Sequence, residues 1–231
     1  MLFARAGWAV VAHALVAALF LLRSSATPWR DAEPWFPVYG TLIDAGCLAL
    51  LWPLTRREGI GLFDLIGFER ARLGRDALLA LAIVPASLLC ILAGVYAAGL
   101  VLYGAGSEPY LFSPLPGPAT LYAGLVFPVV WGFTEQTTYN GYVLPRLRVL
   151  SGSPVLAVAA VALVWSAQHA VMPLTFDGRY MAFRLLSSVP NSLFFILVYL
   201  RLGRLVPLIA AHALLDGGSV LAGVLLGGAE A

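Results

Sequence analysis

Residues 131–147 read WGFTEQTTYNGYVLPRL, and they continue an almost wholly apolar run that starts at residue 119. Thr134, Glu135, Gln136, Thr137, Thr138 and Asn140 therefore arrive together in the middle of a hydrocarbon-like segment. A carboxylate and two amides at bilayer depth are expensive, so they need partners or a function. Working outward, two later apolar segments also carry ionisable groups: His169 in V-W-S-A-Q-H, and His212 with Asp216 in A-A-H-A-L-L-D. The rest of the chain is expected to be the scaffold that brings these groups together.

Composition sets the solvent of that scaffold. Of 231 residues, 61% are apolar and 11% charged, against about 45–50% and about 25% in soluble domains. The chain is expected to be one integral membrane domain over residues 1–231. A net charge of +2 gives no basis for a nucleic-acid partner. All 14 basic residues are Arg, and no function is attached to that. Cys47 and Cys90 each sit in an apolar run outside any C-x-x-C pair, so they are expected to be small buried residues.

About 20 apolar residues span a bilayer, which predicts an all-α, polytopic helical bundle of about seven transmembrane helices. The expected spans are Leu2–Leu22 (interrupted by Arg5), Phe36–Leu54 (carrying Asp44), Ala77–Leu102, Ala119–Leu144, Pro154–Val171, Leu185–Leu200 and Leu205–Leu226. The first also has signal-peptide features, with Ser24-Ser25-Ala26 as a small-residue site, but Arg23 abuts the apolar run and retention is the expectation. Arginine placement orients the bundle. With the N-terminus in the cytoplasm, ten arginines fall inside (Arg5, the Arg56–Arg75 connection, Arg146, Arg148, Arg201, Arg204) and four outside (Arg23, Arg30, Arg179, Arg184). Leu62, Leu65 and Ile66 fall at i, i+3 and i+4, with Asp64 opposite, and predict a short interfacial helix at the cytoplasmic surface. The Tyr103–Pro118 connection reads as an outer loop rich in Gly and Pro. Asp44 is expected to be a structural carboxylate meeting an Arg or a hydroxyl, and Pro190-Asn191 a kink.

At 1.5 Å of rise per residue, Glu135 lies roughly 16 Å from Arg146, His169 roughly 22 Å from Pro154, and His212 and Asp216 roughly 12 and 18 Å from Arg204. Three helices thus deliver four ionisable groups to one middle layer. His212 and Asp216 share a helix face at i, i+4, as do Trp165 and His169, and Glu135 and Tyr139. Two chemistries suit the set. Glu135 and His169 can activate a water while nearby donors hold an oxyanion, or Glu, His, His and Asp can ligate a zinc-like ion. There is no H-E-x-x-H and no G-x-S-x-G.

These residues resemble the CPBP intramembrane endopeptidases, the group of CAAX prenyl-protein proteases and bacteriocin-processing proteins. That family carries three ordered motifs: E-E-x-x-x-R-G, F-x-x-x-H and H-x-x-x-N. Here they correspond to Glu135 through Gly141, to Trp165 through His169, and to His212 through Asp216, inside a family-like core of about residues 60–217. The resemblance implies an intramembrane endopeptidase that cuts peptide bonds near the cytoplasmic side. It implies that Glu135 and His169 activate water, that His212 and Asp216 hold the oxyanion, and that Gln136, Tyr139, Asn140 and Trp165 support them. It implies no cofactor, a divalent metal such as zinc being the alternative, and a peptide or membrane-protein substrate in the lipid bilayer. The sequence leaves the oligomeric state open. Four positions depart from the motifs: Gln136 for Glu, Asn140 for Arg, Trp165 for Phe and Asp216 for Asn. Gln136 and Asn140 are expected to form a neutral amide pair where the family has charges. Asp216 introduces a carboxylate, which donates a hydrogen bond only when protonated. The rival reading is a catalytically silent relative that binds or scaffolds membrane partners.

Overall fold

The computed structural model describes residues 1–104 and 115–227. Regular structure among the described residues is helical throughout: α1 (Ala4–Leu22), α2 (Pro28–Ala32), α3 (Phe36–Arg57), α4 (Leu73–Tyr103), α5 (Gly117–Leu125), α6 (Phe127–Gln136), a π-helical turn (Thr137–Val143), α7 (Leu144–Ser151), α8 (Pro154–His169), α9 (Gly178–Leu202) and α10 (Val206–Gly227). By length and composition, five stretches can cross a membrane: Ala4–Leu22, Pro28–Arg57, Leu62–Tyr103, Gly178–Leu202 and Val206–Gly223. Most of the Tyr103–Pro118 outer loop lies outside the described residues.

The other two expected spans differ from the sequence reading. The Ala119–Leu144 span is stacked from α5, α6, the π-turn and α7. Pro128 at the start of α6 suits a first-turn position, where the missing N–H has no intrahelical partner, and Pro145 comes just after the π-turn. The Pro154–Val171 span stops at His169. Its 16 residues rise only about 24 Å, short of a hydrocarbon core of about 30 Å. So α8 sets His169 at its own end. The expected Leu185–Leu200 span runs from Gly178 to Leu202 and brings Arg179 and Arg184 inside the helix. Asp177 caps it by accepting from the Arg179 and Tyr180 amides. The helix continues through Pro190, and Asn191 accepts from the Ser87 hydroxyl at 2.6 Å.

Lipid removes the hydrophobic drive between helices, so close approach depends on small residues. A Cβ on Gly94 would lie 2.1 Å from the Ser187 carbonyl oxygen, which fixes α4 against α9. A Cβ on Gly132 would meet the Ile209 carbonyl, the Ala213 amide and His212 Cβ at 3.1–3.3 Å. Gly132 therefore lets α10 approach α6 closely enough for their polar groups to meet.

The two ends of the bundle differ in charge. One end carries the Arg204–Asp76 pair at 2.6 Å, the Arg204–Glu69 pair at 3.0 Å, and Arg146 clasping Glu58. Hydrogen bonds from Arg146 hold the exposed Glu58 carboxyl below its ordinary value of 4.5. At the other end, Arg179 donates to the Leu102 carbonyl and Trp29 meets Phe176 edge-on at 5.1 Å. The expected interfacial helix is a 3-10 turn, Leu62–Ile66, with Leu62 buried and Phe63 exposed. Asp64 does not simply face away from its apolar stripe; its carboxylate accepts from the Gly61 amide at 2.7 Å.

Candidate active site

Glu135 occupies the last turn of α6, just before the π-turn. Such local under-winding re-aims side chains and is frequent at functional sites. The six polar residues that arrive together are all buried: Thr134, Glu135, Gln136, Thr137, Thr138 and Asn140. Thr134 and Thr137 satisfy their hydroxyls on backbone carbonyls one turn back.

The two oxygens of Glu135 have different surroundings. Oε1 accepts a short hydrogen bond from Gln168 and lies 3.7 Å from Arg5 Nε. Gln168 in turn accepts from Arg5 Nε at 3.2 Å and from the Tyr139 hydroxyl at 2.9 Å. Arg5 also donates to Asp44 at 2.8 Å and lies over the Trp131 ring at 4.1 Å. Arg5 and Asp44 are 0% and 1% exposed, so this is one guanidinium held between two buried carboxylates.

Glu135 Oε2 lies 3.1 Å from His212 Nε2, which is itself 3.5 Å from Asp216. On the other side of the ring, Nδ1 lies 3.2 Å from Gln136 Nε2. Gln136 accepts from Asn140 at 2.8 Å through its Oε1. The expected neutral amide pair is therefore present. With Gln136 donating to Nδ1, a neutral His212 carries its proton on Nε2, but no hydrogen bond runs from Nε2 to Glu135 Oε2 or Asp216 Oδ2, both of which are buried without a partner. An aromatic wall backs the group: Tyr139 stacks on Trp165 at 5.1 Å, and Phe195 stacks on His212 at 5.2 Å.

These groups border a cavity of about 280 Å³ lined by Glu135, His169, Arg184, Asn191, His212 and Asp216 among others. All four candidate catalytic residues line it, as does Trp165. His169 faces the same space, but the histidine that meets Glu135 is His212. The remaining lining comes from the start of α3, the second half of α4, the first half of α6, the middle of α9 and the middle and second half of α10. The lining thus runs from the middle of the bundle toward the Arg179 end. Among the described residues, no group of three or more His, Cys, Asp or Glu side chains is arranged to hold a metal ion.

Arg5 and Gln168 are the site neighbours that sequence reasoning passed over. Arg5 was expected among the arginines of the cytoplasmic boundary; it is instead wholly buried and paired. A signal was present, since one Arg in the first span and one Asp in the second are opposite charges that lipid forces together. The expectation for Asp44 was an Arg or a hydroxyl partner, and the partner is Arg5. Cys47 is buried and Cys90 partly so, and both are free thiols.

Residues 117–218 match the family model described as Type II CAAX prenyl endopeptidase Rce1-like. The match runs from α5 through Gly218 and contains all three motifs. It supports the membership of the CPBP/CAAX protease family that those motifs implied. Neither the curated proteins nor the solved structures gave a match.

Proposed function

With membership of the CPBP/CAAX protease family as premise, we propose that this integral membrane protein is a glutamate-type intramembrane endopeptidase. The observation that carries the reading is the unequal engagement of Glu135. Gln168 and Arg5 hold one oxygen, while the other looks toward His212 and the cavity. In this reading Oε2 takes the proton of the attacking water, with His169 as the second group that orients it. His212 Nε2–H is the donor for the oxyanion, held in that tautomer by Gln136 and Asn140. Asp216, at 3.5 Å, orients the His212 ring and joins the oxyanion site as a donor only when protonated.

The sidedness needs one adjustment. The arginine bias points to a cytoplasmic N-terminus, with the Arg146 and Arg204 end inside. The cavity lining runs from mid-bundle toward the Arg179 end. In this reading a cytoplasmic N-terminus goes with a cavity that opens away from the cytoplasm. We favour entry from the Arg179 end, which the arginine bias makes the outer side. A reporter fused near Arg204 should read cytoplasmic, and the opposite readout would return the cavity to the cytoplasmic half.

The test of the activity is cleavage of a peptide library by the purified, detergent-solubilised protein, with and without chelator. Chelator-resistant cleavage that disappears in Glu135→Gln is the expected result. No cleavage of any peptide would favour the second reading, a silent relative acting as a membrane scaffold. The observation on that side is Asp216, a carboxylate where the family has an amide. Cleavage lost with chelator would favour a metal-dependent hydrolase.

A further inference from the structure

We propose that Arg184 is an anion-binding residue of this cavity, and that the cavity takes peptides bearing a carboxylate about five residues from the bond to be cut. The spacing rests on the proteolytic reading; the anion site rests on the surroundings of Arg184 itself.

Arg184 lines the same cavity as Glu135 and His212. One terminal nitrogen donates to the Met172 carbonyl at 3.0 Å, which fixes the side chain in place. Its Nε is buried without a hydrogen-bond partner. Among the described residues, no Asp or Glu forms an ion pair with it, whereas Arg5, Arg72, Arg146 and Arg204 each meet a carboxylate. A cation on a cavity wall inside a bilayer calls for a counter-charge, and a neutral carbonyl does not supply one. The planar guanidinium suits a carboxylate, which it can bind through two parallel hydrogen bonds.

The wall below Arg184 fits an extended peptide. Arg184, Ser188, Asn191, Ser192 and Phe195 fall at i, i+4, i+7, i+8 and i+11, so they share one face of α9. All five line the cavity. The stripe ends at Phe195, which stacks on His212 beside Glu135. Eleven residues of helix rise about 16 Å. An extended chain covers about 3.3–3.6 Å per residue, so about five residues bridge the guanidinium and Glu135.

The carboxylate could be the C-terminal one of the peptide or an internal Asp or Glu. The test uses Glu135→Gln protein in detergent, where hydrolysis is silenced and Trp131 and Trp165 on the cavity wall report binding by fluorescence. The probes are four decapeptides of one sequence: free acid and C-terminal amide, and an internal Glu/Gln pair. The acid member of one pair should bind about ten- to a hundred-fold more tightly than its neutral partner. A preference in the first pair identifies a terminal carboxylate, and in the second a side chain. Arg184→Gln should erase the preference and Arg184→Lys should keep part of it. Equal binding of all four peptides, or an undiminished preference in Arg184→Gln, overturns the proposal. If Arg184→Gln does not fold, the peptide pairs on protein that retains Arg184, together with Arg184→Lys, still decide it. Acid preference in binding with no cleavage by the native protein would sink the protease reading and leave the anion site standing. Cleavage without acid preference would do the reverse.

Discussion

Replacing Arg5 with Met should be the most damaging single change outside the three motifs. It removes the guanidinium that meets Asp44 at 2.8 Å and Glu135 at 3.7 Å, with all three groups buried. Two carboxylates are then left without a counter-charge in an apolar bundle. Breaking a buried pair by deleting one partner costs about 3–5 kcal/mol. For a chain of this size each kcal/mol moves the melting midpoint by about 2–4 °C, so a fall of roughly 6–20 °C is expected. The assay is thermal unfolding of the purified protein in one detergent. Neutralising the partner as well, in Arg5→Met with Asp44→Asn, removes one of the orphaned charges. It should recover about 1–3 kcal/mol relative to additivity. Cleavage should stay impaired in that double variant, because Gln168 and Glu135 Oε1 still lack the Arg5 contact. A loss under about 1 kcal/mol in Arg5→Met, or strict additivity with Asp44→Asn, would refute the idea that Arg5 is the counter-charge of this site.

Glu135→Gln should keep the fold and lower cleavage by at least about 10²–10⁴-fold; near-normal turnover would remove Glu135 from the mechanism. Gln136→Glu should destabilise the protein, since it buries a further carboxylate and turns an Nδ1 donor into an acceptor. Adding Asn140→Arg should restore part of the loss, and a double-mutant cycle without coupling would dismiss the pair. Asp216→Asn restores an amide that can donate at any pH, so cleavage should persist; a dead variant would mean that the anion is needed to orient His212. The Glu58 carboxyl is held below 4.5 by Arg146, so the stability from their clasp is present above about that pH and fades as the pH falls through the folded value. A partly exposed pair of this kind is worth up to about 1 kcal/mol. Melting curves at decreasing pH should therefore converge for native protein and Glu58→Gln, and a constant offset would contradict this.

The sequence alone determined the solvent, the fold class and the neighbourhood of the site. Long apolar stretches require helices, because lipid offers nothing else to backbone N–H and C=O groups. Polar residues such as Glu135, His169, His212 and Asp216 stand out against that background, and helical rise alone assigns them a common depth. The Gln136–Asn140 contact was legible for a local reason, since i and i+4 meet on any helix. What the sequence did not decide is which groups face each other across helices. Rise gives depth but not rotation about each helix axis, so it could not choose His212 over His169 as the neighbour of Glu135. Rotation and approach depend on Gly132 and Gly94, whose missing side chains matter only once a second helix is in place. The same limit hid Arg5. A boundary position in a count of arginines became the buried counter-charge of Asp44 and Glu135 because tertiary packing carries α1 against α3 and sets the Arg5 side chain between the two carboxylates. Arg184 changed role for a related reason: α9 begins at Gly178, so an arginine expected in a loop became part of a cavity wall.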